Sequence, residues 1–256
     1  MPKPWIATFN GGELVCANQV GLKPLGQVFG CAVRGVSTQY FPATSDEARI
    51  ESEAFDPMLA ESLAHVQAEA TQLGANAVVG CQVVWTRVDE RVEASDGFYP
   101  STLKISGTAV FDTEARKGEF YIVPASPDEI MVLRRADYIP AGLALGRSTY
   151  YQTAWRQVPK MTGGAFSTWA NEEVVELTRG PYMAREVAMG RMADMAKAAG
   201  AVGIVGVKIA TEIHPAGTLQ GSTMSVTTRF LCYGTAIRRK PGSIDFVSVK
   251  PIIPLS

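Results

Sequence analysis

Reactive chemistry in this chain would have to draw on four cysteines, Cys16, Cys31, Cys81 and Cys232, and two histidines, His65 and His214. Zinc or another soft metal needs three or four converging thiolate, imidazole or carboxylate ligands. Cys31, Cys81, Cys232, His65 and His214 are of the right type, but they are widely spaced and no CxxC pair occurs. Separated thiols on strands are more often small apolar core residues than ligands. Cys81, Val83 and Trp85 would share one strand face, which reads as packing. His214, before Pro215, reads as a loop residue.

Acid–base chemistry fares no better. Glu61 and Glu69, or Glu186 and Asp194, fall on helical stretches, where the solvated side of an amphipathic helix accounts for them. With two histidines as the available bases, neither in a nucleophile setting, a Ser–His or Cys–His pair has no footing. Met183, Met189, Met192 and Met195 suit an adaptable binding surface, or core and subunit interface. The sequence designates no catalytic and no cofactor-binding residue.

Two glycine-rich stretches, LGANAVVGCQV at 73–83 and AGAVGIVGVKI at 199–209, invite a phosphate reading. A phosphate cradle needs backbone N–H groups at the positive, N-terminal end of a helix. Here Gly74 and Gly200 follow a helix, so they meet its carbonyl end, and neither GxxxxGK[ST] nor GxGxxG after a strand is present. The glycines are better explained as a left-handed residue after each helix and, at Gly80 and Gly206, as a close backbone approach within a strand.

The elements that carry these residues come in two sets. Asn10-Gly-Gly-Glu13 and Ser126-Pro-Asp-Glu129 each read as a helix cap followed by Glu at the third position, and they stand 116 residues apart. Gly26 and Gly30 match Gly142 and Gly146 at the same offset, in strands that follow Pro24 and Pro140. A helix over 57–73, with Asp56 as cap and Pro57 at its first position, carries Leu59, Leu63, Val66, Ala70 and Leu73 at helical spacing. Its counterpart over 186–199 carries Val187, Met192, Met195 and Ala199; upstream, NEEVVELTRGPYMAR extends it by several turns, with Gly180-Pro181 as a kink or a fresh start. Strands at 76–86 and 202–211 follow, and each set closes on a strand reaching Gly107-Thr-Ala-Val110 or Gly234-Thr-Ala-Ile237. Four landmarks in one order predict a tandem duplication: units at 10–112 and 126–240, a linker at 113–125 and a tail at 241–256. Each unit is an α+β layer, one long helix on a small, mainly antiparallel sheet with a short N-terminal helix. No metal candidate is duplicated, since Cys31 aligns with Arg147, Cys81 with Val207, Cys232 with Ile105 and His65 with Arg191.

Composition sets the class. The 256 residues are 46% hydrophobic with a formal charge of −1 and a pI near 6.2. That balance carries no electrostatic footprint for nucleic acid, and the longest basic cluster, Arg238-Arg239-Lys240, reads as a solvated strand end. Unpaired cysteine usage fits reduced thiols in a cytosol. MPKPWIATFNGGE has no apolar signal core, and no window reaches the roughly 20 apolar residues of a membrane span. A cytoplasmic protein is expected.

The helix, LGANAVVG and closing GTAV pattern resembles the YbjQ family (UPF0145), also labelled a heavy-metal-binding domain. The second set, AREVAMGRMADMAKAAGAVGIVGVKI with YGTAI, is similar to the divergent copy of tandem members. The resemblance implies a dodecin-like subunit and closed pentameric rings, hence ten domains for a tandem chain, with a heavy metal as the implied ligand. Thin sheets with bare edges point the same way, toward self-association. The function expected is a non-enzymatic homo-oligomeric ring or cage. The alternative is metal or small-ligand binding in a lumen or at subunit junctions.

Overall fold

The computed structural model describes residues 6–37, 45–87, 98–155, 175–217 and 223–242. In chain order these form α1 (Gly11–Gln19), β1 (Leu22–Ser37), α2 (Ser45–Gln72), β2 (Ala77–Arg87), β3 (Phe98–Asp112) and β4 (Tyr121–Ile122). Then come α3 (Pro127–Arg135), β5 (Tyr138–Trp155), α4 (Val175–Ala198), β6 (Gly203–Gly217) and β7 (Thr223–Arg239). The first sheet has the order β1-β3-β2-β4, antiparallel except for the short parallel β2–β4 pairing. The second has the order β5-β7-β6 and is antiparallel throughout.

Both short helices begin where a cap can satisfy their first N–H groups. The Glu13 amide donates to Asn10 Oδ1 at 2.9 Å, and Glu13 Oε2 accepts from the Asn10 amide at 2.7 Å. At α3, Glu129 Oε2 accepts from the Ser126 amide at 2.9 Å. Gly74 and Gly200 leave α2 and α4 at φ +77° and +67°, the left-handed turn that stops a helix.

α2 starts earlier than its proline announces, whereas α4 runs upstream through Gly180-Pro181 along the extension its sequence suggests. α2 begins at Ser45 and α4 at Val175, with Pro57 and Pro181 inside them rather than at a first turn. Proline in a helix interior loses a hydrogen bond. Packing outweighs that loss in α2, where Phe55 and Met58 on either side of Pro57 are fully buried.

The buried stripe of α4 also departs from the expected one. Ala184, Ala188, Met192 and Ala196 face the sheet, while Val187 is exposed. Close approach explains it: a Cβ on Gly146 would lie 1.9 Å from the Ala188 carbonyl oxygen, and one on Gly30 would lie 2.1 Å from that of Ser62. A helix pressed so near a strand admits small residues and turns large ones aside. Gly80 and Gly206 differ from expectation too. They sit at φ +62° and +61° in β-bulges, between Val79 and Gln82 and between Val205 and Lys208, with ample room for a Cβ. The close approaches fall instead on Gly107 and Gly234, where a Cβ would meet Val78 Cγ1 at 2.8 Å and the Val205 carbonyl at 2.9 Å.

The sheets stack in one direction. α4 covers one face of the second sheet through Ala144, Phe230, Cys232 and Ala236. The other face, bearing Leu143, Leu145, Leu231 and Tyr233, shares a core with Phe55, Cys81, Val83 and Trp85 on the α2 side of the first sheet. On the side of the first sheet away from α2, one end is covered by α1 and α3 over a second core of Leu22, Ala77, Val79, Val110 and Ile130, while the other end, with Phe29, Val33 and Val84, is exposed.

Gly146→Ala should therefore lower stability by about 1–3 kcal/mol, the usual cost of overpacking. Gly190→Ala, in the same helix layer with nothing within 4 Å, should be neutral or mildly stabilising. Denaturant midpoints of the two variants check the contrast.

Candidate functional site

The metal candidates do not converge. Cys81 and Cys232 are fully buried on different sheets, and Cys31 is half-buried on β1. His65 does come to Cys31, but its Nδ1 lies 3.2 Å from the main-chain carbonyl oxygen, a contact that leaves the thiol out. Cys232 donates to the Gly146 carbonyl at 3.4 Å. His214 lies within β6 opposite Thr227, a strand position rather than a loop, and its side chain lies outside the described residues. Among the described residues no three His, Cys, Asp or Glu side chains form a group that could hold a metal. Burial pushes the Cys81 thiol up to about 12 and that of Cys232 to about 11, so both stay protonated near neutrality, unlike metal-binding thiolates.

The seam between the sheets is the most elaborate place in the molecule. Arg147 on β5 is almost fully buried. Its guanidinium carbon lies 4.4 Å from the ring centre of Phe55 on α2 and 5.7 Å from that of Trp85 on β2. Phe55 and Trp85 meet edge to face at 5.3 Å, and Trp85 Nε1 donates to Ser101 Oγ at 2.8 Å. Arg191 from α4 donates to the Arg147 carbonyl at 2.9 Å. Beside the clamp lies an open cleft of about 260 Å³, lined by Val83–Thr86, Ala210, Glu212, Arg229 and Leu231. Arg229 and Glu212 pair across its polar end at 3.5 Å. The cleft is mostly apolar, and its one carboxylate, Glu212, is paired with Arg229.

A second buried polar knot holds the linker. Asp112 Oδ2 accepts from Tyr121 Oη at 2.6 Å and from Arg134 Nη2 at 2.7 Å, and Arg134 also donates to the Val20 carbonyl. Asn76 brackets the Asp112 backbone, donating to its carbonyl and accepting from its amide at 2.8 and 2.6 Å. Burial, with the Asp112 carboxylate beside it, pushes the Tyr121 phenol well above its usual range. Downstream, Gly80 N donates to the Ala125 carbonyl, Cys81 N to that of Val123, and Ala125 N to Thr235 Oγ1. The segment after β3 thus caps the edge of β2 and bonds across to β7.

Sequence reasoning passed over Arg147, Phe55, Asp112 and Arg134. One signal for Arg147 was present: it follows Leu143-Ala-Leu-Gly146 in an apolar strand stretch, an odd place for a charge inside a core.

No protein-family model matches the chain. A curated relative from Mycobacterium tuberculosis (strain ATCC 25618 / H37Rv), the encapsulin nanocompartment protein Rv1762c, is 27% identical over 99% of this chain and 92% of its own length. These findings overturn the YbjQ-like assignment. The strings that carried it have local causes: GANAVVG spells a helix stop and a bulge, and GTAV places glycine under a neighbouring strand. Such demands arise wherever a helix is pressed on a small sheet. The pentameric, ten-domain ring was an implication of that resemblance and loses its basis with it. No described helix is long and apolar enough to cross a membrane.

Two predictions follow from the buried groups. Cys81 ionises near 9 when unfolded and near 12 when folded. A raised acid stabilises the fold fully below about 9, and that contribution is lost as pH rises from there through about 12. Melting temperature should fall over this window, more in the parent than in Cys81→Ala. Asp112→Asn, which leaves Arg134 only the more exposed Glu114 carboxylate at 3.7 Å, should cost up to about 3–5 kcal/mol, against about 1.5–3 kcal/mol for Tyr121→Phe, whose hydroxyl donates to a charged group. Urea unfolding measures both.

Proposed function

We propose that this chain is a non-catalytic structural subunit that assembles with copies of itself into a closed shell or ring. The observation that carries the reading is apolar surface left bare on ordered strands of both sheets of one chain. Phe29, Val33 and Val84 lie on the open face of the first sheet, and Val207, Ile209 and Ile213 lie on β6 at the far edge of the second. Patches of this kind on ordered strands mark protein–protein contact. Full-length similarity to an encapsulin nanocompartment protein supports the same reading.

The two units, 10–112 and 126–240, are part of this proposal. We read them as tandem copies of one α+β plan, each with a long helix on an antiparallel sheet. Support comes from register breaks at Pro24/Gly26 and Pro140/Gly142, from the paired bulges at Gly80 and Gly206, and from the paired contacts under Gly30 and Gly146. Multiplying a self-complementary layer within one chain halves the number of junctions left to form between chains. Geometry lends no specific support to the metal alternative.

The test is mass in solution. Light scattering and native mass spectrometry at micromolar concentration should give a discrete species several times the 27.5 kDa chain. A monodisperse monomer would overturn the proposal.

A further inference from the structure

We infer that the seam between the two sheets is used a second time, between chains, and that the occupant of each bare surface is another copy of this protein. The β6 row Val207, Ile209 and Ile213 of one copy packs on the open face of the first sheet, around Phe29 and Val33, of the next. This rests on the self-assembly reading above and names the surfaces that would carry it.

Register places the rows. Val83 lies opposite Ile105 and Trp85 opposite Leu103, whose carbonyl is bonded by Ser62 of α2, so the β2 row is on the α2 side. Ile209 lies opposite Cys232 and Thr211 opposite Phe230, both in the core under α4. The β6 row thus holds the position in the second sheet that the β2 row holds in the first. Their fates differ: Cys81 and Val83 are 0% and 5% exposed, whereas Ile209 and Ile213 are 56% and 54% exposed.

The receiving faces show the reverse contrast. Leu143 and Leu145, on the helix-free face of the second sheet, are buried by the β2 row and its surroundings. The face of the first sheet away from α2 has Phe29 where the second has Leu145, and beyond the end covered by α1 and α3 both Phe29 and Val33 are bare. One chain therefore contains a filled junction, an unused row and an unused face, in the geometry of a head-to-tail contact. Contacts of this kind repeat from copy to copy and close when the rotation permits. Edge coverage agrees: residues 121–125 bond along β2, while among the described residues no strand bonds along the outer edge of β6.

The second junction is a plainer version of the first. Cys31 stands in place of Arg147 and Thr211 in place of Trp85, so the buried cation against aromatic rings is missing. The interchain contact should come apart at lower denaturant than the chain unfolds.

The experiment compares full-length variants by native mass spectrometry, each checked for folding by circular dichroism. Ile209→Glu with Ile213→Glu spoils the row, and Phe29→Glu with Val33→Glu spoils the face. Each alone should drop from the parent assembly to the single-chain mass. An equimolar mixture should give dimers, since one sound row and one sound face remain. Should a double variant fail to fold, Ile213→Lys and Val33→Lys serve the same comparison. Folded variants that assemble like the parent, or a mixture that stays monomeric, would overturn the inference while leaving self-assembly standing. A monomeric parent would instead sink the proposed function. Phe246→Asp with Val249→Asp probes the alternative occupant, segment 243–256, which lies outside the described residues. That variant should assemble normally; its dissociation while folded would assign the β6 row to the tail and overturn the inference.

Discussion

A guanidinium packed against two touching aromatic rings joins the two sheets of this chain. Arg147 comes from β5, Phe55 from α2 and Trp85 from β2, and Arg191 of α4 reaches the same residue through its carbonyl. Burying a charge is costly unless its surroundings compensate. A desolvated cation over aromatic faces recovers about 2 kcal/mol or more, and it does so in one arrangement only. The apolar residues around it, Leu143, Leu145, Leu231 and Tyr233, would stick to many surfaces. The clamp makes the seam specific in orientation as well as favourable.

Around that seam, two steric limits shape each half. Glycine at 30 and 146 lets a helix backbone touch the strand beneath it, and this contact selects alanine and serine for the facing helix positions. Bulges at Gly80 and Gly206 then bend the neighbouring strand. The knot of Asp112, Tyr121 and Arg134 fixes where the chain leaves the first sheet, so the next segment can lie along β2 before entering α3.

Elements with local causes were legible from the residues alone. The capping boxes at Asn10 and Ser126, the stops at Gly74 and Gly200 and the common face of Cys81, Val83 and Trp85 all follow from nearest-neighbour chemistry. The start of α2 was not, because Pro57 locally favours a first turn and only packing elsewhere overrides it. The seam was invisible for a similar reason. Leu143 and Leu145 alternate with Ala144 in a strand covered on both faces, and nothing local says what covers the second. Family resemblance failed where it rested on glycine strings, since those strings record backbone geometry more than descent.

In both sheets the central strand is the last of the three long strands in the chain: β3 lies between β1 and β2, and β7 between β5 and β6. During synthesis, β1 and β2 emerge with nothing to pair against until β3 follows, and the wait recurs for β5 and β6. The β2–β3 and β6–β7 neighbours are then free to zip as hairpins, and the earlier strand joins across the loop spanned by the long helix. Such nascent chains present bare apolar edges on a crowded ribosome. A chain that keeps apolar strand residues bare even when finished therefore passes through a stage in which still more of them are exposed.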